Sequence, residues 1–243
     1  MKKCLCLIVC MTCLFSMAMA QDGGLSFVSK FASTAPTIDG VLASGEWDGA
    51  LTIEIDATDE IPPGVVSADS SPIDPPGIQT RDDFNATIYV MNDATNLYVA
   101  VDVHDDVLVF SKSALHQNDS AEVRVDGNFS RLNPKEGNDL GYSANIRGDN
   151  GDNSGLPTGG VAVAAPKSDN SGWVAEYSLP IAGFVETIGF DVGINDSDDP
   201  AASNRDSQIR INALSDSGWE DESQWARLTL AQSSHTKNWE AMN

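Results

Sequence analysis

Apolar and polar residues alternate with a period of two along most of the chain, which limits it to stacked pleated sheets. Leu97, Val99, Val101 and Val103 share one face, with Tyr98, Asp102 and His104 opposite. Ala121, Val123 and Val125 oppose Glu122, Arg124 and Asp126. Trp173, Ala175, Tyr177 and Leu179 oppose Val174 and Glu176, while Ile188, Phe190, Val192 and Ile194 oppose Gly189, Asp191 and Gly193. Shorter runs at 51–55, 86–90, 142–146, 161–165, 208–213 and 227–230 read the same way, and Asn-, Asp- and Gly-rich turns separate them. No window carries a helical stripe longer than about two turns. The pattern predicts an all-β fold, a two-sheet antiparallel β-sandwich of the immunoglobulin-like jelly-roll kind. Stretches 56–80 and 148–160 interrupt the alternation, but strands on both sides are needed to complete the sandwich, so 21–243 is expected to be one domain.

The first twenty residues read as an address. Met1-Lys2-Lys3 forms a short positive start, Cys4 to Phe15 is apolar, and Ala18-Met19-Ala20 has the small-x-small form of a cleavage site. Residues 1–20 are expected to be a secretory signal that sends the chain out of the cytoplasm, and the apolar run is short for a membrane span. All four cysteines (Cys4, Cys6, Cys10, Cys13) lie in it, leaving the mature chain without disulfide, thiolate or cysteine-based zinc site. Such an exported domain must rely on its core or on bound ions.

Charge narrows the partners. The chain holds 36 Asp and Glu against 14 Lys and Arg, a net charge of -22. Without Lys2 and Lys3, twelve basic side chains (14 less 2) face the same 36 acids, a net of -24. Phosphate neutralisation needs clustered Lys and Arg, so nucleic acid is not an expected partner, nor is an anionic membrane. Carboxylates in number suit hard cations. Asp102 to Asp106 closes one strand and Asn195 to Asp199 another, making Asp102, Asp105, Asp196 and Asp198 candidate calcium ligands. There are only three histidines, and neither H-E-x-x-H nor G-x-S-x-G occurs, so zinc and serine hydrolysis are unsupported. Glu122 and Glu176 could supply two carboxylates to a glycosidase, although isolated strand acids are commonly structural. Sugar rings pack on aromatic faces. Trp47, Trp173, Trp219 and Trp225 are the candidates: Trp173 reads as core, whereas Trp219 sits in a polar loop.

Five segments in order resemble family 9 carbohydrate-binding modules, which are DOMON-like β-sandwiches. They are Thr37-Ile38-Asp39-Gly40 with Gly45-Glu46-Trp47, then Asn96 to Val103 with Asp105, and Asn118-Asp119-Ser120-Ala121-Glu122 with Asp126. Gly172 to Pro180 follows, and then Ile188 to Asp191 with Asn195 to Asp198. The resemblance implies a non-catalytic module that binds poly- or oligosaccharides, carries structural calcium and works beside polysaccharide-degrading glycoside hydrolases. It places Glu122 at the sugar site and Arg205 near a family arginine. The family's two sugar-clamping tryptophans fall at His116 and near Leu214, so His116 and Trp219 are the expected contacts in their stead. Two other readings remain open: a haem-binding electron-transfer domain with Met91 and His104 as ligands, and a surface adhesion module without a ligand pocket.

Overall fold

The computed structural model describes residues 25–56, 66–67, 84–132, 136, 139–146, 150–151, 159–212 and 216–233. The expected signal and part of both long interruptions lie outside them. Fourteen strands occur among the described residues, with three short 3-10 turns and no α-helix. In chain order the strands are β1 (Ser26–Val28), β2 (Lys30–Phe31), β3 (Leu51–Asp56), β4 (Val66–Ser67), β5 (Phe84–Asn92), β6 (Asn96–Asp105) and β7 (Ser120–Asp126). They continue as β8 (Asp139–Asn145), β9 (Asn150–Gly151), β10 (Val161–Pro166), β11 (Gly172–Pro180), β12 (Thr187–Asp196), β13 (Ser207–Arg210) and β14 (Ala226–Thr229).

Two sheets form. One runs β1-β14-β12-β7-β8-β9, with β13 beside the second half of β12 and β4 outside it; the other runs β10-β11-β6-β5-β2, with β3 also on β5. The apolar sets of both sheets meet between them in one core that includes Ile88, Val99, Val101, Val123, Val125, Trp173, Tyr177, Phe190 and Val192. Tyr177 spans the layers, its hydroxyl donating to the carbonyl of Ala121 at 2.7 Å. A buried phenol keeps its partner in this way.

The sandwich is as expected, but its sheets are not wholly antiparallel. β1 runs parallel to β14, and β2 runs parallel to β5. The N-terminal strand therefore begins in one sheet and crosses into the other at Ser29. A buried polar knot fixes the crossing. Ser29 Oγ donates to Asn92 Oδ1 (2.5 Å), the Ala231 amide donates to both side chains, and Asn92 Nδ2 donates to the Ala231 carbonyl (3.0 Å). Alternation alone does not show such a switch, because it says which face a residue takes and not which sheet receives the strand.

The Thr37–Trp47 segment packs on the outer side of the second sheet. Trp47, Met91, Tyr98 and Ala100 make a second, smaller core there. Glu176 on β11 holds the segment down by accepting from the amides of Asp39 (3.0 Å) and Gly40 (2.7 Å) and from the indole of Trp47 (3.1 Å). Gly40 has φ +84, and a Cβ there would stand 2.8 Å from that of Ala165, so both shape and space require glycine.

Candidate functional site

The face of β7 turned away from the core is polar yet buried. It carries Ser120, Glu122, Arg124 and Asp126, all at most 4% exposed. The register sets Arg124 against Asp191 and Ser120 against Asn195 on β12, and β12 in turn sets Gly193 against Arg210 and Asn195 against Gln208 on β13. Arg124 Nη2 donates to Glu122 Oε2 at 2.9 Å, and Arg210 Nη1 approaches the same oxygen at 3.5 Å. Arg210 also grips Asp191 Oδ2 through Nε (2.7 Å) and Nη2 (2.5 Å). Asn195 Nδ2 reaches Glu122 Oε1 (3.2 Å) and Ser120 Oγ (2.9 Å), and Gln208 Nε2 reaches Asn195 Oδ1 (2.7 Å).

Two guanidiniums and two carboxylates are thus interlocked on one sheet face. Burial works against ionisation of Glu122, but Arg124 and Arg210 outweigh it and hold the carboxyl down at about 2. For Asp191 burial prevails over the pull of Arg210 and pushes the carboxyl up. Gly193 makes the network possible, since a Cβ there would lie 2.8 Å from Arg210 Nη1. Gln208 Oε1 and Asp191 Oδ1 are buried and have no hydrogen-bond partner. Buried polar atoms without protein partners call for a cause of their own, such as an enclosed water or stored strain. Half-buried Trp219, at the end of the 3-10 turn Asp216–Trp219, lays its ring over the Arg124 guanidinium, 5.8 Å from the ring centre.

Of the residues expected at a sugar site, Glu122 and Trp219 meet through Arg124. His116 and Arg205 form a second pair, with Arg205 Nη1 donating to the His116 carbonyl at 3.4 Å. This pair lies just before β7 and β13, on the side of Ser120 and Ser207. Buried Lys112 ties the loops that carry it, donating to Ser197 Oγ (2.5 Å) and to the Asn204 carbonyl (2.6 Å). His116 itself is exposed. Leu214 lies outside the described residues. The sequence reading missed Arg124, Arg210, Asp191 and Gln208. The first and third already stood on the non-core sides of their strands, but only the register shows that all four face one another.

The acidic runs converge at the end of β6. Asp105, Asp119 and Asp196, all buried, bring carboxylate oxygens within 4.8 Å of one another, and Asp105, Asp106 and Asp198 form an overlapping trio. Asp105 accepts from the Trp173 indole (3.2 Å) and Asp196 from Ser207 Oγ (3.2 Å). Asp119 Oδ2 accepts from the Val109 amide (2.5 Å), while its Oδ1 is buried without a hydrogen-bond partner. Burial, with neighbouring carboxylates adding to it, pushes Asp105 up to about 7 and Asp119 to about 9. At an effective dielectric near 20, each like-charge pair 4.8 Å apart costs about 3–4 kcal/mol, so the trio needs protons or a cation. Asp102 stands apart from both trios, on the outer face of β6, paired with Lys167 Nζ at 2.6 Å. Asp119, not among the expected ligands, takes its place in the group.

Other candidates have structural duties. Trp47 is buried on Glu176, and Trp173 and Trp225 are fully buried, so none of the three offers a sugar platform. Glu176 serves as the latch for the N-terminal segment. Met91 pairs with Tyr98, six residues along β6 from His104, a separation of about 20 Å. The two cannot hold one haem between them.

Residues 67–233 match the family model described as carbohydrate family 9 binding domain-like. Over 154 residues the chain is 30% identical to the exoglucanase XynX of Acetivibrio thermocellus; the match takes in 61% of this chain and 14% of that enzyme's length. The fold is similar to a family 9 carbohydrate-binding module of Caldicellulosiruptor kristjanssonii in complex with cellotriose (TM-score 0.69, 20% identity, 87% of this chain and 96% of that one). It is equally similar to a family 9 module of the same organism in complex with glucose (TM-score 0.68, 20% identity, 88% and 99%). With the fold and most of the chain's length matched, this protein belongs to the carbohydrate family 9 binding domain-like family, a family of non-catalytic carbohydrate-binding modules.

Proposed function

We propose that the chain is an exported module that holds poly- or oligosaccharide on the polar face of β7, β12 and β13 and takes part in polysaccharide breakdown outside the cytoplasm. The observation that carries this reading is the buried Glu122–Arg124–Arg210–Asp191 network with the Trp219 ring over it. The network fixes the floor of the face and holds the half-buried ring in place, and the ring supplies an apolar surface for pyranose C–H groups. Arg205 and His116 border the same side. The cellotriose and glucose complexes of similar folds and the exoglucanase relative support a glucan-type ligand. Export rests on the Lys2-Lys3 start, the apolar run and Ala18-Met19-Ala20.

A structural calcium ion completes the reading. Asp105, Asp119 and Asp196 are its ligands, with Asp198 at the rim. An all-oxygen donor set suits calcium, and Asp119 Oδ1 is a buried oxygen in want of a partner. Isothermal calorimetry and affinity-gel electrophoresis against a panel of glycans test the binding. Glucan oligosaccharides are expected to bind, and Trp219→Ala is expected to weaken them by at least about tenfold, in line with the large share of binding energy that aromatic anchors carry. Absence of binding to every glycan in the panel would overturn the reading.

A further inference from the structure

The loop from β6 to β7 carries an open ring that none of the contacts above uses. Phe110 is 46% exposed, the one aromatic among the large apolar side chains left open to solvent in the described residues. The loop around it is firmly built. Val109, 3% exposed, accepts from the Asp119 amide through its carbonyl at 2.9 Å. Asn118, fully buried, accepts from the Lys112 amide (2.8 Å) and donates to the carbonyls of Lys112 (3.1 Å) and Ala114 (2.7 Å). The Lys112 ammonium then pins the loop to the β12–β13 connection through Ser197 and Asn204. Phe110 thus stands between fixed points while its own side chain stays open to solvent, and His116 on the same loop is exposed as well.

Single exposed apolar side chains are ordinary on protein surfaces, so exposure alone assigns nothing. Position adds the missing part. The loop delivers the chain to Ser120, which shares the polar face of β7 with Arg124 and is bonded there by Asn195. Trp219 covers the Arg124 guanidinium. Ser120 and Arg124 are four residues apart, about 13 Å along β7, a span that takes more than one sugar ring to cross. We propose that Phe110 is a second stacking ring, and that the ligand is an oligosaccharide long enough to lie on Trp219 and Phe110 together. Phe110 acts so only if the sugar reading holds, and it adds to that reading a requirement for chain length. Pyranose C–H groups meet an aromatic face at Phe110 as they do at Trp219, and the fixed loop lowers the cost of ordering that contact.

Calorimetry of the full chain with glucose, cellobiose and cellopentaose tests the second ring, with circular dichroism checking that each variant is folded. The wild type should bind cellopentaose at least about tenfold more tightly than cellobiose, and Phe110→Ala should cut that ratio to about threefold or less. Phe110→Tyr, which keeps a ring, should retain the wild-type ratio. Equal affinity for all three sugars in the wild type overturns the proposal, and so does an unchanged ratio in Phe110→Ala or an equal loss in Phe110→Tyr. Each of these outcomes leaves sugar binding at Trp219 standing. Failure of every glycan to bind overturns both the second ring and the sugar reading. Should Phe110→Ala not fold, nuclear Overhauser contacts in the wild type decide. Contacts between the Phe110 ring protons and the C–H protons of cellopentaose support the second ring, and their absence overturns it.

Discussion

Glu122 stays ionised in a buried place because two arginines share its carboxylate. Replacing it with glutamine leaves both guanidiniums short of a counter-charge, and loss of one partner in a buried ion network costs about 3–5 kcal/mol. The pH dependence has a definite sign. With a folded-state value near 2, against an ordinary 4.5, Glu122 contributes stability that is present above 4.5 and fades as pH falls toward 2. The gap in melting temperature between wild type and Glu122→Gln should therefore be wide at pH 7 and narrow steadily below pH 4.5. A gap independent of pH would show that Glu122 is held by packing instead. Gly193→Ala acts on the same network through shape. Its new Cβ pushes on Arg210, and overpacking of this sort costs about 1–3 kcal/mol. Denaturant unfolding should record that loss, and calorimetry should record weaker glycan binding alongside it.

Each strand was visible in the chain where alternation was long enough to set a face, as in β6, β7, β11 and β12. The two-residue strands β2, β4 and β9 were not, because two residues define no period. The Thr37-Ile38-Asp39-Gly40 and Gly45-Glu46-Trp47 motifs were visible as residues, but their partner Glu176 lies 129 positions from Trp47, and only pairing of β11 beneath the segment joins them. Three donors converge on one Glu176 carboxylate. Glu176→Gln can accept with one oxygen only, and hydrogen bonds to charged groups are worth about 1.5–3 kcal/mol each, so a net loss of about 1–3 kcal/mol is expected in equilibrium unfolding. Glycan affinity should hardly change, since the latch is on the other sheet from the β7 face.

For the whole molecule, the proposed calcium ion would link charge to stability. An ion present at about a hundred times its dissociation constant stabilises the folded state by about 2.7 kcal/mol, which for a domain of this size is a melting shift of about 5–10 °C. A chelator should therefore lower the melting temperature by several degrees at neutral pH, and an unchanged melt would count against structural calcium. Without the ion, Asp105 and Asp119 favour their protonated forms, with folded-state values of about 7 and about 9. A raised folded-state value contributes stability below about pH 4 that is lost as pH rises through 7 and 9. The chelated protein should thus lose stability from pH 4 to 9, and added calcium should flatten that slope.

What the chain determined by itself was the side of the sheet each residue takes. A period of two needs no knowledge of neighbours, and it placed Val123 inward and Glu122 and Arg124 outward. Tertiary structure decided which outward residues share a face. Register set Arg210 and Asp191 on Glu122 and Arg124, brought Asp119 in place of Asp102 to Asp105 and Asp196, and turned Trp47 from a candidate sugar platform into a buried anchor. Those outcomes depend on pairing between strands far apart in sequence, and local alternation carries no information about which strand lies alongside.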